Sequence, residues 1–159
     1  MSDPSTGSGT AVGPGTAVGS GTVLGSGTVV LGEVVAERTV HLTRESLVRY
    51  AGASGDFNPI HYRDDIAASV GLPGVLAHGM LTMGLAVQTI VPWLGDAGRI
   101  LDYGVRFTRP VVVDPETGAE LTIVAKVGAV DDESARIDLT VKHGETTVLG
   151  KAQVRVRLA

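Results

Sequence analysis

The feature that most constrains the fold is a strict alternation of apolar and polar residues in the C-terminal third of the chain. The alternation is clearest over 135–141, where Arg136, Asp138 and Thr140 separate four apolar residues. Because successive side chains of a strand point to opposite faces, this period of two predicts strands with one buried and one solvated face. Short polar turns join the last three such strands, so we expect an antiparallel meander. The predicted strands cover 101–107, 121–129, 135–141 and 148–158.

A second segment, from Met80 to Val91, is long enough to form a helix and is almost wholly apolar. A helix of this kind is expected to be buried on all sides, and Pro92 follows it as a terminator. A sheet with one apolar face must be covered, and this helix is the candidate for that role. The pattern therefore predicts an α+β fold in which an antiparallel sheet packs on one central helix.

The residues ahead of this helix are predicted to form smaller elements. Residues 33–42 have the pattern of a first strand, and Thr43 is a suitable N-cap for a helix that ends before Gly55. Residues 64–70 are predicted to form a short helix. Residues 56–61 must be a loop, because a residue that precedes proline is driven away from helical angles.

The N-terminal 1–29 segment differs in composition from the rest of the chain. From Ser5 to Leu31 it is a degenerate six-residue repeat, rich in glycine, threonine and valine and without a charge. One interpretation is a left-handed parallel β-helix, which hexapeptide repeats of this type can build. The repeat would complete barely more than one coil, too few to bury a core, so we favour a disordered, flexible tail. The predicted domain then covers 30–159.

The composition argues against several classes of function. The formal net charge is −4, whereas binding to nucleic-acid phosphates needs a concentrated basic face. The chain has no cysteine, which excludes disulfides, thiolate catalysis and cysteine-based zinc sites. No stretch approaches the roughly 20 apolar residues that cross a bilayer, and no signal peptide is recognisable. We therefore expect a cytoplasmic protein with neither a nucleic-acid nor a membrane partner.

Asp56 and His61 are the residues best suited to acid–base chemistry. They lie in one loop, which Pro59 stiffens. A carboxylate and an imidazole that converge on one point can hold a water and transfer its proton, and imidazole titrates near neutral pH. Asn58 is suited to fix the loop by bonding to the main chain. The alternative is an ordinary turn with a solvated histidine.

Gly79 begins the apolar helix and is a candidate donor to an oxyanion. An N–H at a helix start has no partner within the helix and lies at the positive end of the dipole, which suits a thioester enolate. The alternative is that Gly79 only relieves crowding, and for His78 we favour a packing role. Met80, Met83 and Gly84 are ordinary core residues in one interpretation and line an acyl tunnel in the other.

Other chemistry finds little support in the sequence. The four histidines do not have the spacing of a metal site, and no nucleotide-binding or nucleophile-elbow motif is present. We therefore expect neither a metal nor a cofactor. Arg99, Arg106 and Arg109 are weak candidates for contact with a phosphopantetheine group or a carrier protein.

Three segments of the chain resemble the MaoC-like, (R)-specific enoyl hydratase family. They read YAGASGDFNPIH over 50–61, AHGMLTMG over 77–84 and YGVRFTRPV over 103–111. The first motif, followed at this distance by the second, is specific for that family. Within the family, the chain is similar to the catalytic B subunits of mycobacterial-type (3R)-hydroxyacyl carrier protein dehydratases.

The resemblance implies a hotdog fold, in which an antiparallel sheet wraps around one long central helix, and a dimer that joins two sheets edge to edge. It also implies a water activated by Asp56 and His61, an oxyanion donor at the Gly79 N–H, and structural roles for Asn58 and Pro59. Some relatives carry a serine about two turns into the helix, where this chain reads AVQ, so a serine-assisted step is in doubt. The group that protonates C2 stays open.

The implied reaction is the reversible dehydration of (3R)-hydroxyacyl thioesters to trans-2-enoyl thioesters in fatty acid, lipid or polyketide elongation. The substrate is expected on an acyl carrier protein or on coenzyme A, and the partner is a second hotdog subunit, identical or different. One alternative is an (R)-specific enoyl-CoA hydratase of lipid breakdown. Another is a non-catalytic acyl-binding subunit of a heterodimer, which would be expected to lack the acid–base pair.

Overall fold

The computed structural model describes residues 28–158, so the tail predicted over 1–29 lies almost entirely outside the described residues. Five strands form a single antiparallel sheet in the order β1-β3-β4-β5-β2. The meander of the last three strands is confirmed, and β1 and β2 form the two edges. The strands are β1 Val34–Leu42, β2 Ile100–Phe107, β3 Ala119–Val130, β4 Ser134–His143 and β5 Thr146–Arg157.

One face of the sheet is the core of the domain. On β4, Ala135, Ile137, Leu139 and Val141 are all buried, as the alternation predicts. The corresponding residues of β3 and β5 join them in one apolar cluster with the helices. This clustering confirms the predicted α+β arrangement with helices on one side of an antiparallel sheet.

Four α-helices of residues 28–158 lie outside the sheet. The first has the predicted caps: the Thr43 hydroxyl accepts from the Ser46 N–H, and Gly55 ends the helix with a φ of 75°. That left-handed backbone angle favours glycine. The helices are α1 Arg44–Ser54, α2 Asp64–Ser69, α3 Gly79–Gln88 and α4 Val91–Leu94. None of the helices in residues 28–158 is both long and apolar enough to cross a membrane.

The central helix α3 is shorter than the predicted 80–91 segment. It ends at Gln88, and Pro92 lies in the separate short helix α4. Proline has no N–H to donate to the carbonyl of Gln88, and its ring crowds that carbonyl, so the regular helix cannot continue through this point. The expected single long helix is therefore two helices joined by a turn at Thr89 and Ile90.

The expectation that this helix is buried on all sides is wrong for the single chain. Its buried residues are Thr82 and Ala86, which continue a stripe with His78 before them and Ile90 after them. Residues four apart lie on the same face of a helix, so this stripe is the face that packs on the sheet. Met80, on another face, is 58% exposed because the sheet covers only one side of the helix.

Candidate active site

The loop that follows α1 is held by its own polar side chains. The Asp56 carboxylate accepts a hydrogen bond from the Asn58 N–H (3.2 Å), and the Asn58 side-chain oxygen accepts from the Ile60 N–H (3.3 Å). Pro59 is the first residue of a 3₁₀ turn, Pro59–His61, where its fixed φ and missing N–H are tolerated. These contacts direct both Asp56 and His61 to the same side of the loop.

Asp56 and His61 approach each other closely. The Nε2 atom of His61 lies 3.9 Å from Oδ2 of Asp56, and the His61 side chain is buried while that of Asp56 is half-exposed. Nδ1 of His61 lies 2.7 Å from the Leu76 carbonyl oxygen. A carbonyl oxygen only accepts, so Nδ1 carries the hydrogen of the neutral ring and Nε2 is the free base. The free nitrogen therefore faces the carboxylate.

Gly79 is the first residue of α3, and its N–H donates no hydrogen bond to any part of residues 28–158. A Cβ atom on Gly79 would lie 3.0 Å from Cε1 of Phe107, closer than ordinary contact. The absence of a side chain thus leaves a narrow gap between the helix start and the Phe107 ring. An unpartnered amide at the positive end of a helix is a suitable donor to a developing negative charge.

A cavity of about 340 Å³ lies between this helix start and the sheet, and both His61 and Gly79 line it. The pairing of β5 with β4 shifts at two places, one at Lys151, where φ is 47°, and one at Val148. At the second shift both Val148 and Leu149 are buried. The other lining residues are mostly apolar: Leu76, Ala77, Thr82, Phe107, Thr108, Arg109, Pro110, Val111, Val148 and Leu149.

The structure brings none of the three predicted substrate residues to this cavity. Met80, Met83 and Gly84 are not among its lining residues, and a Cβ on Gly84 would meet nothing within 4 Å. Met80 is 58% exposed, so the predicted core role does not hold for it, whereas Met83 and Gly84 are partly buried. Arg109, one of the three weak arginine candidates, does line the cavity and brings a positive charge to it.

His78 has a larger part in the site than the sequence indicated. It is 1% exposed, its ring stacks on that of His61 with centroids 3.7 Å apart, and its Nε2 lies 3.1 Å from the Asp56 carbonyl oxygen. Burial lowers the pKa of His78, an effect that the hydrogen bond to Asp56 opposes. Its only sequence signal is its position immediately before Gly79, which does not reveal the contact with His61.

Asp56, His61 and His78 offer ligand atoms within 4.8 Å of one another, but their geometry does not suit a metal ion. The two histidine rings are inclined by only 23° at a centroid distance of 3.7 Å. The lone pair of a ring nitrogen lies in the plane of its ring, and these two planes intersect roughly 9 Å from the rings. A zinc ion lies only about 2.0–2.1 Å from each ring nitrogen that binds it. One ion therefore cannot lie along the lone pairs of both rings.

Known proteins with related sequences and structures place the chain in a family. The family described as MaoC like domain matches residues 27–148. The 3-hydroxyacyl-thioester dehydratase X of Mycobacterium tuberculosis is 38% identical over 79 residues, which are 50% of this chain and 27% of that protein. The (R)-specific enoyl-CoA hydratase of Rhodospirillum rubrum is 28% identical over 127 residues, covering 79% of this chain and 83% of that protein. A solved structure of a MaoC-like dehydratase superposes with a TM-score of 0.81 and 35% identity, over 87% of this chain and 43% of its own.

The antiparallel sheet packed on a central helix is the hotdog fold, which the superposition confirms. With residues 27–148 matched, the chain belongs to the MaoC-like domain family. It spans only 27% of dehydratase X and 43% of the superposed MaoC-like dehydratase, so both of those proteins are much longer than this chain.

Proposed function

We propose that this protein catalyses the reversible dehydration of (3R)-hydroxyacyl thioesters to trans-2-enoyl thioesters, with Asp56, His61 and the Gly79 N–H as its catalytic groups. One observation carries the proposal: His61 and Gly79 line the same apolar cavity, and the free imidazole nitrogen of His61 faces the Asp56 carboxylate, which itself does not line the cavity. An acid–base pair and an oxyanion donor are the two requirements for adding water to a conjugated thioester. The family membership and the two relatives described above support the same reaction class.

The 3.9 Å between Nε2 of His61 and Oδ2 of Asp56 is too long for a direct hydrogen bond and suits a shared water. A water about 2.8 Å from both atoms would have an angle of about 90° at its oxygen, near the angle between its two O–H bonds. It would donate one hydrogen to each group. Its lone pairs would then point away from the protein side chains and towards the substrate.

In the hydration direction, His61 takes one proton from this water as the oxygen attacks C3 of the enoyl thioester. Asp56 holds the other hydrogen and stabilises the imidazolium that forms, and the Leu76 carbonyl keeps the ring in place throughout. The negative charge that develops on the thioester oxygen is received by the Gly79 N–H, a type of contact worth roughly 3–4 kcal/mol. The enolate is then protonated at C2. Once His61 has given up the proton that it accepted, the sum is the addition of one water, and dehydration is the reverse.

We further propose that Met80, Met83 and Gly84 contact the acyl chain together with a second hotdog subunit. Met80 is 58% exposed and Phe57 is 60% exposed, so apolar side chains lie uncovered on the surface of the single chain. A second chain that covered these two side chains would remove their apolar surface from water. Both a homodimer and a heterodimer fit this proposal, and the thioester carrier is an acyl carrier protein or coenzyme A.

A second candidate is an (R)-specific enoyl-CoA hydratase, which uses the same groups in the hydration direction. It is favoured by the relative from Rhodospirillum rubrum, because this chain covers 83% of that protein. A non-catalytic acyl-binding subunit is disfavoured because Asp56, His61 and Gly79 are all present. A comparison of turnover on coenzyme A and carrier-protein thioesters distinguishes the first two candidates.

The test is the loss of the conjugated ultraviolet absorbance of crotonyl-CoA and longer enoyl thioesters, with the protein alone and with a second hotdog subunit. We expect Asp56→Asn and His61→Gln to lower kcat by on the order of 10²–10⁴-fold while both variants remain folded. Asp132→Asn and His143→Gln, with the same chemical changes outside the site, are the matched controls and should keep full activity. An inactive wild type on every thioester, or full activity in either site variant, would contradict the proposal.

A further inference from the structure

His78 lies directly behind the two side chains of the proposed acid–base pair. It is 1% exposed, it precedes Gly79 at the start of α3, and its ring stacks on His61 at 3.7 Å. Its other ring contact is an edge-on approach to Tyr50, with centroids 4.8 Å apart. His78 does not line the cavity, so it acts on the site only through its neighbours.

The hydrogen bonds of His78 define its protonation. Nε2 lies 3.1 Å from the Asp56 carbonyl oxygen and must carry the hydrogen, because a carbonyl only accepts. Nδ1 is buried and has no hydrogen-bond partner within residues 28–158. Burial lowers the pKa of His78, which is consistent with a neutral ring. A buried polar atom without a hydrogen bond destabilises a fold, so packing alone does not explain a histidine at this position.

We propose that His78 is a positioning residue for the reaction, holding the Asp56 main chain through its Nε2–H and the His61 ring through its face. The inference rests on the proposed function. In this role His78 keeps the Asp56 carboxylate and the His61 imidazole 3.9 Å apart. The proposed oxyanion donor, Gly79, is the next residue along the chain. A single side chain thus connects all three proposed catalytic groups.

The neutral state of His78 matters to the cycle. When His61 accepts a proton from water it becomes an imidazolium, only 3.7 Å from the neighbouring ring. A second charged ring at that distance would repel it strongly, whereas a neutral aromatic face attracts a cation. His78 therefore supports the charged intermediate state of His61 only while it stays neutral itself.

The test separates the two contacts of His78 with two variants. His78→Phe keeps a ring to stack on His61 but has no N–H for Asp56, whereas His78→Gln has an N–H donor but no ring. We expect His78→Phe to lose about tenfold or more in kcat with KM within about twofold, because substrate contacts remain while the carboxylate loosens. His78→Gln keeps a donor but lacks the ring that contacts His61, so it should also lose kcat with KM little changed. A purely structural role predicts that His78→Phe is as active as the wild type, and that result would overturn the proposal.

His143 supplies the matched control. Its Nδ1 also donates to a main-chain carbonyl, that of Glu120 at 2.9 Å, but outside the site, so His143→Phe should leave kcat unchanged. If neither His78 variant folds, ¹⁵N-detected histidine NMR of the wild type still decides. The proposal requires His78 to carry its hydrogen on Nε2 and to stay neutral at neutral pH, and any other state overturns it. An inactive wild type would instead contradict the proposed function, and the NMR result would then test only the protonation state and contacts of His78.

Discussion

Replacing Gly79 with alanine would place a methyl group against the Phe107 ring at the entrance to the site. The new Cβ lies 3.0, 3.2 and 3.4 Å from three ring atoms. Contacts of this length are tighter than ordinary ones, so the Phe107 ring or the helix start must move by a few tenths of an ångström. A misplacement of about 1 Å at a reacting group costs on the order of 10²-fold in rate, or about 2.7 kcal/mol, and a smaller shift costs less. We therefore predict a loss of roughly tenfold in kcat/KM, with the N–H itself retained.

A double-mutant cycle with Phe107→Ala tests this reasoning. Gly79 does not have a positive φ, so alanine should change the free energy of unfolding by no more than about 1 kcal/mol. With the ring removed, the Gly79→Ala substitution should cost much less activity, giving a coupling of about 1 kcal/mol or more. Gly52→Ala, in open space on α1, is the control and should be neutral. Equal losses in the presence and absence of the Phe107 ring would refute the steric argument.

Three further predictions concern the support of the site. Arg44→Met removes the paired bonds to Asp64 and the bond to the buried Val113 carbonyl, and should lower the free energy of unfolding in urea by about 1–3 kcal/mol; unchanged stability would contradict this. The hydrogen bond from the Arg44 guanidinium lowers the pKa of Asp64 from its ordinary value of 3.8. The ionised Asp64 carboxylate therefore stabilises the fold above pH 3.8, and this contribution is lost as the pH falls further. The difference in Tm between wild type and Asp64→Asn should therefore shrink below pH 3.8, and a constant difference would argue against the ion pair. Gly128→Ala places a Cβ 2.0 Å from Oδ2 of Asp138, so the Asp138 and Arg136 side chains must move and the Arg136 bond to the Gly128 carbonyl is lost. The loss of this bond should destabilise the fold by about 0.5–1.5 kcal/mol, and an unchanged Tm would contradict this.

Much of the fold follows from patterns that are local in sequence. The period of two over β3, β4 and β5 predicts the meander, because a short turn joins strands that lie side by side. The pairing of β2 with β5 and of β1 with β3 is not local, so the alternation alone does not predict which strands form the edges. The end of α3 was predictable from Pro92, whose missing N–H interrupts the helix, although the predicted segment ran to Val91.

The site could be predicted in part for the same reason. Asp56 and His61 share one short loop, so their approach depends on the local turn that Asn58 and Pro59 form. His78 is distant from both along the chain and meets them only through tertiary packing, which no spacing rule expresses. Most residues of α3 are apolar, so the sequence does not show which face of the helix packs on the sheet. In the structure the buried residues lie four apart, from His78 to Ile90.

The most direct test of the central claim is a crystal structure of the Asp56→Asn variant with a bound trans-2-enoyl thioester. We predict that the thioester carbonyl oxygen lies about 2.7–3.1 Å from the Gly79 amide nitrogen, with C3 facing the Nε2 atom of His61 across one water. A thioester bound with its carbonyl away from the Gly79 amide, or with C3 turned away from His61, would contradict it.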